Sequence, residues 1–163
     1  MRIPTLVKTA AAVTAAAFAG AAGTDPRSDW YEGLEKPSWQ PPPRAFGLVW
    51  TPLYALIAVA GARVLDRTSG AERQAFRRAY AQNLALNAAW TPLFFAARAP
   101  VAALADVVAL NVSNAYLLRR AWRADRTAAA CLAPYVAWTY FATALNTAIV
   151  HRNRIGEPLP GQR

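Results

Sequence analysis

Few side chains in this sequence can do chemistry, and most of them sit in uncharged surroundings. At 100° per residue, Asn83, Asn87, Trp90 and Phe94 fall within about 60° of one another on a helix. Amide donors and acceptors then share a face with two aromatic rings. Such a face turns toward the interior of a bundle, or it does no more than hydrogen-bond neighbouring helices. Asp106 stands in an otherwise uncharged run, with Leu110, Ser113 and Asn114 on nearly the same face. An intramembrane carboxylate costs about 2.5–3.5 kcal/mol on insertion scales, so it should face protein or water and have a partner. It reads either as a proton or ion site or as a structural carboxylate bonded to Asn, Ser or Tyr of neighbouring helices. Asn114 and Asn146 are expected as further structural polar groups. A lone imidazole can ligate haem, but His151 lies beside Arg152 and Arg154 at a basic terminus, which argues against that role. Cys131 stands alone, so it can form neither an intramolecular disulfide nor a cysteine metal cluster. With no Ser/His/Asp set, paired carboxylates, phosphate loop or metal-ligand spacing, neither a metal site nor ordinary acid–base catalysis is expected.

The elements that must position these residues are apolar and long. Uncharged or nearly uncharged stretches run over Ile3–Gly23, Ala45–Ala62, Ala79–Ala97, Ala99–Leu118 and Thr127–Val150, with only Lys8 and Asp106 charged inside them. A bilayer core of about 30 Å takes roughly 20 helical residues, and soluble amphipathic helices would carry charge on one face at every turn. The pattern predicts an all-α integral membrane protein, a single domain over 1–163, with helices at about 3–23, 45–65, 75–97, 99–121 and 127–151. Mean hydropathy is only +0.13 because the spans are rich in Ala and the connections in Arg. The first stretch also fits a secretory signal peptide, with small residues at Ala17-Phe18-Ala19.

Net charge is +9, which alone fits nucleic acid or anionic lipid. The basic residues cluster between spans rather than in a stripe with interleaved aromatics, so the bilayer is the expected partner and nucleic acid is not. With five spans, the N-terminus and two basic connections share a side that holds 11 of the 18 Lys and Arg. The positive-inside rule then places the N-terminus in the cytoplasm, of a bacterial cell membrane. Ala81, Ala85 and Ala88 line the face of the third span opposite its Asn and Trp, a small-residue pattern suited to close approach of a helix or a second copy. The loop 24–44 carries five prolines and Trp30, Tyr31 and Trp39. It reads as an interfacial aromatic belt or as a lid. Trp50-Thr51-Pro52-Leu53-Tyr54 and Trp90-Thr91-Pro92-Leu93-Phe94 are near copies, 40 residues apart. Each proline, like Pro134 in the fifth span, is expected to disturb its helix at the carbonyl four residues earlier.

The loop Trp30-Tyr31-Glu32-Gly33-Leu34-Glu35-Lys36-Pro37-Ser38-Trp39-Gln40-Pro41-Pro42 resembles the W-Y-x-x-L-x-K-P-x-W-x-P-P motif of the translocator-protein (TspO/MBR, tryptophan-rich sensory protein) family. Val49-Trp50-Thr51-Pro52-Leu53-Tyr54, Leu86-Asn87-Ala88-Ala89-Trp90 with Phe94-Phe95, Ala105-Asp106, and Pro134-Tyr135-Val136-Ala137-Trp138 with Phe141-Ala142 and Leu145-Asn146 are similar to its later motifs, in order. The resemblance implies a five-transmembrane-helix bundle, commonly dimeric, with the 24–44 loop closing a pocket. It implies a porphyrin (protoporphyrin IX or a haem-like tetrapyrrole) as ligand, with no cofactor required. Tyr31, Trp50, Asn87, Trp90, Trp138, Ala142 and Leu145 match pocket positions, and Trp39 joins them from the lid. It further implies that Trp30 and Trp138 would carry light- or oxidant-dependent porphyrin breakdown, if that occurs; transport of a small hydrophobic molecule is a third implied role. Lys36 and Arg44 near the mouth would attract porphyrin propionates. Thr147 stands where the sterol motif of animal members has Tyr, which argues against tight sterol binding.

Overall fold

The computed structural model describes residues 1–153; Arg154 and the nine residues after it, the end of the domain expected over 1–163, lie outside the described residues. The chain runs α1 (Ile3–Ala22), α2 (Asp29–Glu32), α3 (Pro43–Arg67), α4 (Gly70–Thr91), a π-helical turn (Pro92–Ala96), α5 (Pro100–Ala124) and α6 (Arg126–Arg152). No strand occurs among the described residues. Proline opens three of the long helices, at Pro4, Pro43 and Pro100, where its missing N–H has no intrahelical partner to lose. Asp125 caps α6 by accepting from the N–H groups of Thr127 (2.9 Å) and Ala128 (3.3 Å). Helices α1, α3, α5 and α6 are long and apolar enough to cross a membrane. Helix α4 falls short of that measure. It carries Glu72, Arg73, Arg77 and Arg78 in its first half and Asn83 and Asn87 in its second.

The near-identical proline segments diverge. Pro52 stays inside continuous α3, whereas Pro92 ends α4 and starts the π turn. The third span is therefore not one α-helix over 75–97. The bonds from Ala97 N–H to Pro92 O (2.8 Å) and Ala99 N–H to Leu93 O (3.0 Å) close wider rings, and Arg98 adopts a positive φ of 51° to reverse the chain. Neighbours supply the reason. Gly23, just past the end of α1, lies so close to Pro92 that a Cβ there would meet the proline Cα at 3.1 Å.

The packing inverts the soluble pattern. Asn83, Asn114, Asn146 and Thr139 are each 1% exposed, while Phe18, Leu48 and Val112 point outward at about 70% or more. Apolar side chains outside and polar groups satisfied inside suit a lipid surround. The interior polar groups form a connected chain across four helices. Tyr54 Oη of α3 donates to Asn87 Oδ1 (3.3 Å), and Asn87 Nδ2 to Tyr135 Oη of α6 (3.3 Å). Tyr135 Oη donates in turn to Asn83 Oδ1 (3.1 Å). Asn83 Nδ2 reaches Asn114 Oδ1 (2.7 Å) and Ser113 Oγ (3.1 Å) of α5, and Asn114 Nδ2 reaches Thr139 Oγ1 (2.9 Å). Asp106 stands outside this chain. Its half-buried side chain has Oδ2 shielded from solvent with no hydrogen-bond partner, because the Asn, Ser and Tyr groups expected to bind it are engaged with one another.

Helix α1 belongs to the bundle. Thr9 Oγ1 donates to Ala58 O of α3 (2.9 Å), and Gly20 lies against Thr91 and Ala88 of α4. Helices α3 and α4 meet where Tyr80 Oη donates to Ile57 O (3.0 Å). A Cβ on Gly61 would stand 2.7 Å from that ring, so any larger residue there must displace Tyr80 and its hydrogen bond. At the end of the bundle where α3 stops and α6 starts, buried Asp125 pairs with Arg63 and Arg67, each at 2.8 Å. Burial alone would raise its carboxyl pKa. The Arg63 hydrogen bond and the two backbone N–H groups outweigh that and hold it below the usual carboxylate range.

Two predictions follow from this packing. Asn83→Leu strands Asn114 Oδ1 and removes an acceptor from Tyr135, at about 1–3 kcal/mol for unsatisfied buried groups. Tyr54→Phe removes one long bond, near the roughly 0.6 kcal/mol average for membrane interhelical hydrogen bonds. Thermal unfolding in detergent should rank them so, and equal destabilisation would contradict the network. The Asp125 pair adds stability fully above the unfolded carboxyl pKa of about 4, lost as pH falls through the lower folded value. Wild-type melting temperature should drop below about pH 4 more steeply than that of Asp125→Asn, which keeps the cap and loses the charge; parallel slopes would contradict it.

Candidate functional site

The loop between α1 and α3 folds back onto the bundle. Its short α2 ends under Lys36, whose Nζ donates to Glu32 O (3.1 Å) and Leu34 O (2.9 Å) and lies 4.6 Å from the centre of the Tyr31 ring. The ammonium thus closes its own loop, whereas Arg44 is exposed in the first turn of α3. Gln40 Nε2 donates to Tyr31 Oη (3.1 Å). Burial pushes the Tyr31 phenol pKa up, with the Gln40 hydrogen bond pulling partly back. The loop is latched to the end of α6. Glu35 N–H donates to Asn153 Oδ1 (2.9 Å), and Asn153 Nδ2 to Glu35 O (3.0 Å). Backbone and amide pair in both directions, as two strands would.

Two aromatic groups lie under this loop. In one, Trp90 stacks on Phe94 (5.0 Å, 18°), and Trp30 and Tyr31 meet Phe94 edge-on at 5.7 and 6.2 Å. Tyr31 also leans on Phe95 at 5.1 Å, and Leu145 and Ile149 of α6 close the cluster from below. In the other, Trp138 stacks on Phe141 (5.1 Å, 29°), with Phe46 edge-on to Trp138 at 5.8 Å and Trp39 edge-on to Phe141 at 5.7 Å. Trp39 itself is 48% exposed. Deeper in, Trp50 stacks on Tyr54 at 5.0 Å and meets Tyr135 edge-on at 6.2 Å.

The residues singled out from sequence therefore fall into three positions. Tyr31, Trp90 and Leu145 share the first cluster, Trp138 and Trp39 the second, and Trp50 and Asn87 both reach Tyr54 and Tyr135. Trp30 and Trp138 belong to different clusters. Ala142 is half-buried in α6. Trp90 Nε1 donates to Asn146 Oδ1 (3.1 Å), and Asn146 Nδ2 to Pro100 O (3.0 Å), so that indole is tied to the start of α5. Of the small face on α4, Ala81 and Ala85 are exposed, while Ala88 backs onto Gly20 of α1. His151 is exposed in the last turn of α6. Sequence reasoning missed Phe46, which meets Trp138 of α6 from the start of α3, and the Asn153 latch. An isolated Phe or Asn near a helix end carries no spacing signal.

The polar bonds at the site differ in length. Those of Asn87 to Tyr54 and Tyr135 are 3.3 Å, near the weak limit, whereas those binding Asn83 to Asn114 and Asn114 to Thr139 are 2.7 and 2.9 Å. Asn87 is thus the amide that an incoming carbonyl could engage at least cost to the bundle.

The TspO/MBR family profile matches residues 8–152 of this chain. The chain is 37% identical to the tryptophan-rich sensory protein of Cereibacter sphaeroides over 118 residues, 72% of this chain and 73% of that protein. It is 37% identical to the translocator protein of Homo sapiens over 136 residues, 80% of each chain. With the tryptophan-rich protein TspO of Archaeoglobus fulgidus it shares 35% over 150 residues, 91% of this chain and 97% of that one.

The latch makes a direct prediction. Asn153→Ala removes the partner of the Glu35 amide, so hydrogen exchange should rise across the 24–42 loop while α5 stays protected. Unchanged loop exchange would show that the aromatic contacts alone hold it.

Proposed function

This chain belongs to the TspO/MBR family, and on that premise we propose that it is a membrane sensor or regulator that binds a tetrapyrrole beneath its aromatic loop. One observation carries the reading. Two groups of stacked and edge-on aromatic rings lie under a loop latched at one point, with a weakly engaged amide, Asn87, beside them. A porphyrin is a broad π-system, and opening the latch exchanges protein–protein ring contacts for protein–ligand ones of the same kind. The exposed Arg44 is placed to meet a propionate, and the ligand needs no resident cofactor.

The reading includes α4 as a fifth span. Its charges lie in the first nine residues, and its later polar residues Asn83 and Asn87 turn inward to bonded partners. Hydropathy therefore understates how apolar its lipid-facing surface is. Five spans put the N-terminus with the basic ends of α3 and α5, on the cytoplasmic side by the positive-inside rule. Retention of α1 follows from its contacts with α3 and α4, and Ala81, exposed on the small face of α4, remains open for a homodimer.

Titration with protoporphyrin IX in detergent, followed by tryptophan fluorescence in the dark and under illumination, tests the proposal. Saturable quenching is expected. Trp138→Phe should weaken binding by about 1 kcal/mol, the scale of one aromatic pair. Asn87→Leu should also weaken it, with helicity retained. Binding unmoved by either substitution in folded protein would refute the site. Loss of the porphyrin spectrum on illumination, faster than for free porphyrin and abolished in Trp138→Phe, would make the protein an enzyme instead.

A further inference from the structure

We propose that the outward-facing groove between α4 and α5 is a binding site for one anionic phospholipid, with an acyl chain along its alanine-lined length and the phosphate at Arg119, Arg120 and Arg123. This is independent of any ligand beneath the loop.

The groove has a volume of about 710 Å³. Its α4 wall is built from Ala79, Ala85 and Ala89 with Leu86, and Gln82 is its polar side chain there. Its α5 wall follows Ala109, Val112 and Tyr116, at helical spacing. Val112 and Tyr116 are 69% and 44% exposed, so these walls are open to whatever surrounds the bundle. Small side chains on one helix against larger ones on the other leave a channel rather than a flat surface.

The α5 stripe does not end at Tyr116. The same ring lines a second cavity of about 300 Å³, together with Glu72, Arg119, Arg120 and Arg123. Apolar channel and basic cavity thus share a wall and run end to end. At 1.5 Å per residue the apolar wall from Ala109 to Tyr116 is about 10 Å long, and the basic cavity carries it to about 21 Å at Arg123, so the two together are of the order of one leaflet of a bilayer whose hydrocarbon core is about 30 Å. A single leaflet lipid has this form, a hydrocarbon length ending in a charged head.

Charge decides what kind of head fits. At this end of the bundle Arg63 and Arg67 are neutralised by Asp125. The three arginines of the cavity have no carboxylate within 4.0 Å among the described residues, Glu72 included. The Arg120 guanidinium lies 4.7 Å from the Tyr116 ring centre, and its Nε is buried with no hydrogen-bond partner. A shielded guanidinium N–H without an acceptor lacks the group that guanidinium geometry matches best, a phosphate or carboxylate oxygen. Three arginines against one glutamate leave the cavity positive. That favours a phosphodiester carrying net negative charge over a zwitterionic head, whose ammonium would meet like charge.

The test uses full-length protein in nanodiscs of equal dioleoyl-phosphatidylglycerol and dioleoyl-phosphatidylcholine, released into native mass spectrometry. Wild-type protein should retain phosphatidylglycerol over phosphatidylcholine on the order of a hundredfold, from three arginines at roughly 1 kcal/mol per basic residue near a lipid head. Replacing Arg119, Arg120 and Arg123 together by Gln should bring the ratio near one with unchanged helicity. Should that variant fail to fold, the wild-type ratio decides alone, and Arg120→Lys, which keeps the charge but removes Nε, should lower it partway. Ala89→Phe should cut retention of the lipid while sparing the arginines. Equal retention of the two lipids by wild-type protein would overturn the proposal. So would full displacement of phosphatidylglycerol by millimolar inorganic phosphate, which would mark a free-anion site. Quantitative disulfide between Ala85→Cys copies in a Cys131→Ser background, without a lipid adduct, would assign the groove to a second copy instead.

Discussion

The arrangement depends on one chain of hydrogen bonds, from Tyr54 through Asn87, Tyr135, Asn83 and Asn114 to Thr139. In a lipid surround, apolar side chains gain little by leaving the solvent for another helix, so packing and interhelical hydrogen bonds must select the partners. Alanine-rich helices have little shape with which to select. The amides supply the selection, because each donor and acceptor fits only one neighbour without leaving a buried group unpaired. Asn83 fixes α4 against α5 and α6 together, and Trp90 through Asn146 extends the same logic to the start of α5.

That fixed interior makes the aromatic site possible. Tyr135 and Trp138 lie one turn apart on α6, the first buried in the network and the second turned to Phe46 and Phe141. The network residues cannot yield without cost to the bundle. The rings above them are held by dispersion and edge-on contacts, which another π-system can replace. The two kinds of contact are therefore divided by depth, with amide hydrogen bonds below and exchangeable ring contacts above. The loop follows the same division, since its own closure by Lys36 is local and it meets the bundle through the Asn153 pair and the ring contacts of Trp30, Tyr31 and Trp39.

The basic end shows how position sets the role of like residues. Arg63 and Arg67 converge on Asp125, whose carboxylate also caps α6, so one buried charge ties α3 to the start of the last helix. Arg119, Arg120 and Arg123 have no such partner among the described residues and sit in the last turns of α5 beside an apolar channel. Their charge complements the C-terminal end of the helix dipole and is otherwise directed outward.

Much of this was legible in the residues. Long uncharged stretches broken by arginines gave the helices, since helix length and hydropathy are properties of contiguous sequence. The inward face of α4 followed from the spacing of Asn83, Asn87, Trp90 and Phe94, and the loop aromatics announced themselves beside five prolines. Partners were not legible. Nothing local distinguishes Pro52, which α3 absorbs, from Pro92, which Gly23 of another helix meets at a π turn. Nothing local says that Asn83 and Asn114 choose each other and leave Asp106 Oδ2 without a bond. Nor does the order of residues reveal that Ala79 to Ala89 and Ala109 to Tyr116 form two walls of one groove. Periodicity tells which way a side chain faces along its own helix. Only the packed bundle decides what it meets there, because each hydrogen bond and each cavity is a relation between helices distant in the chain.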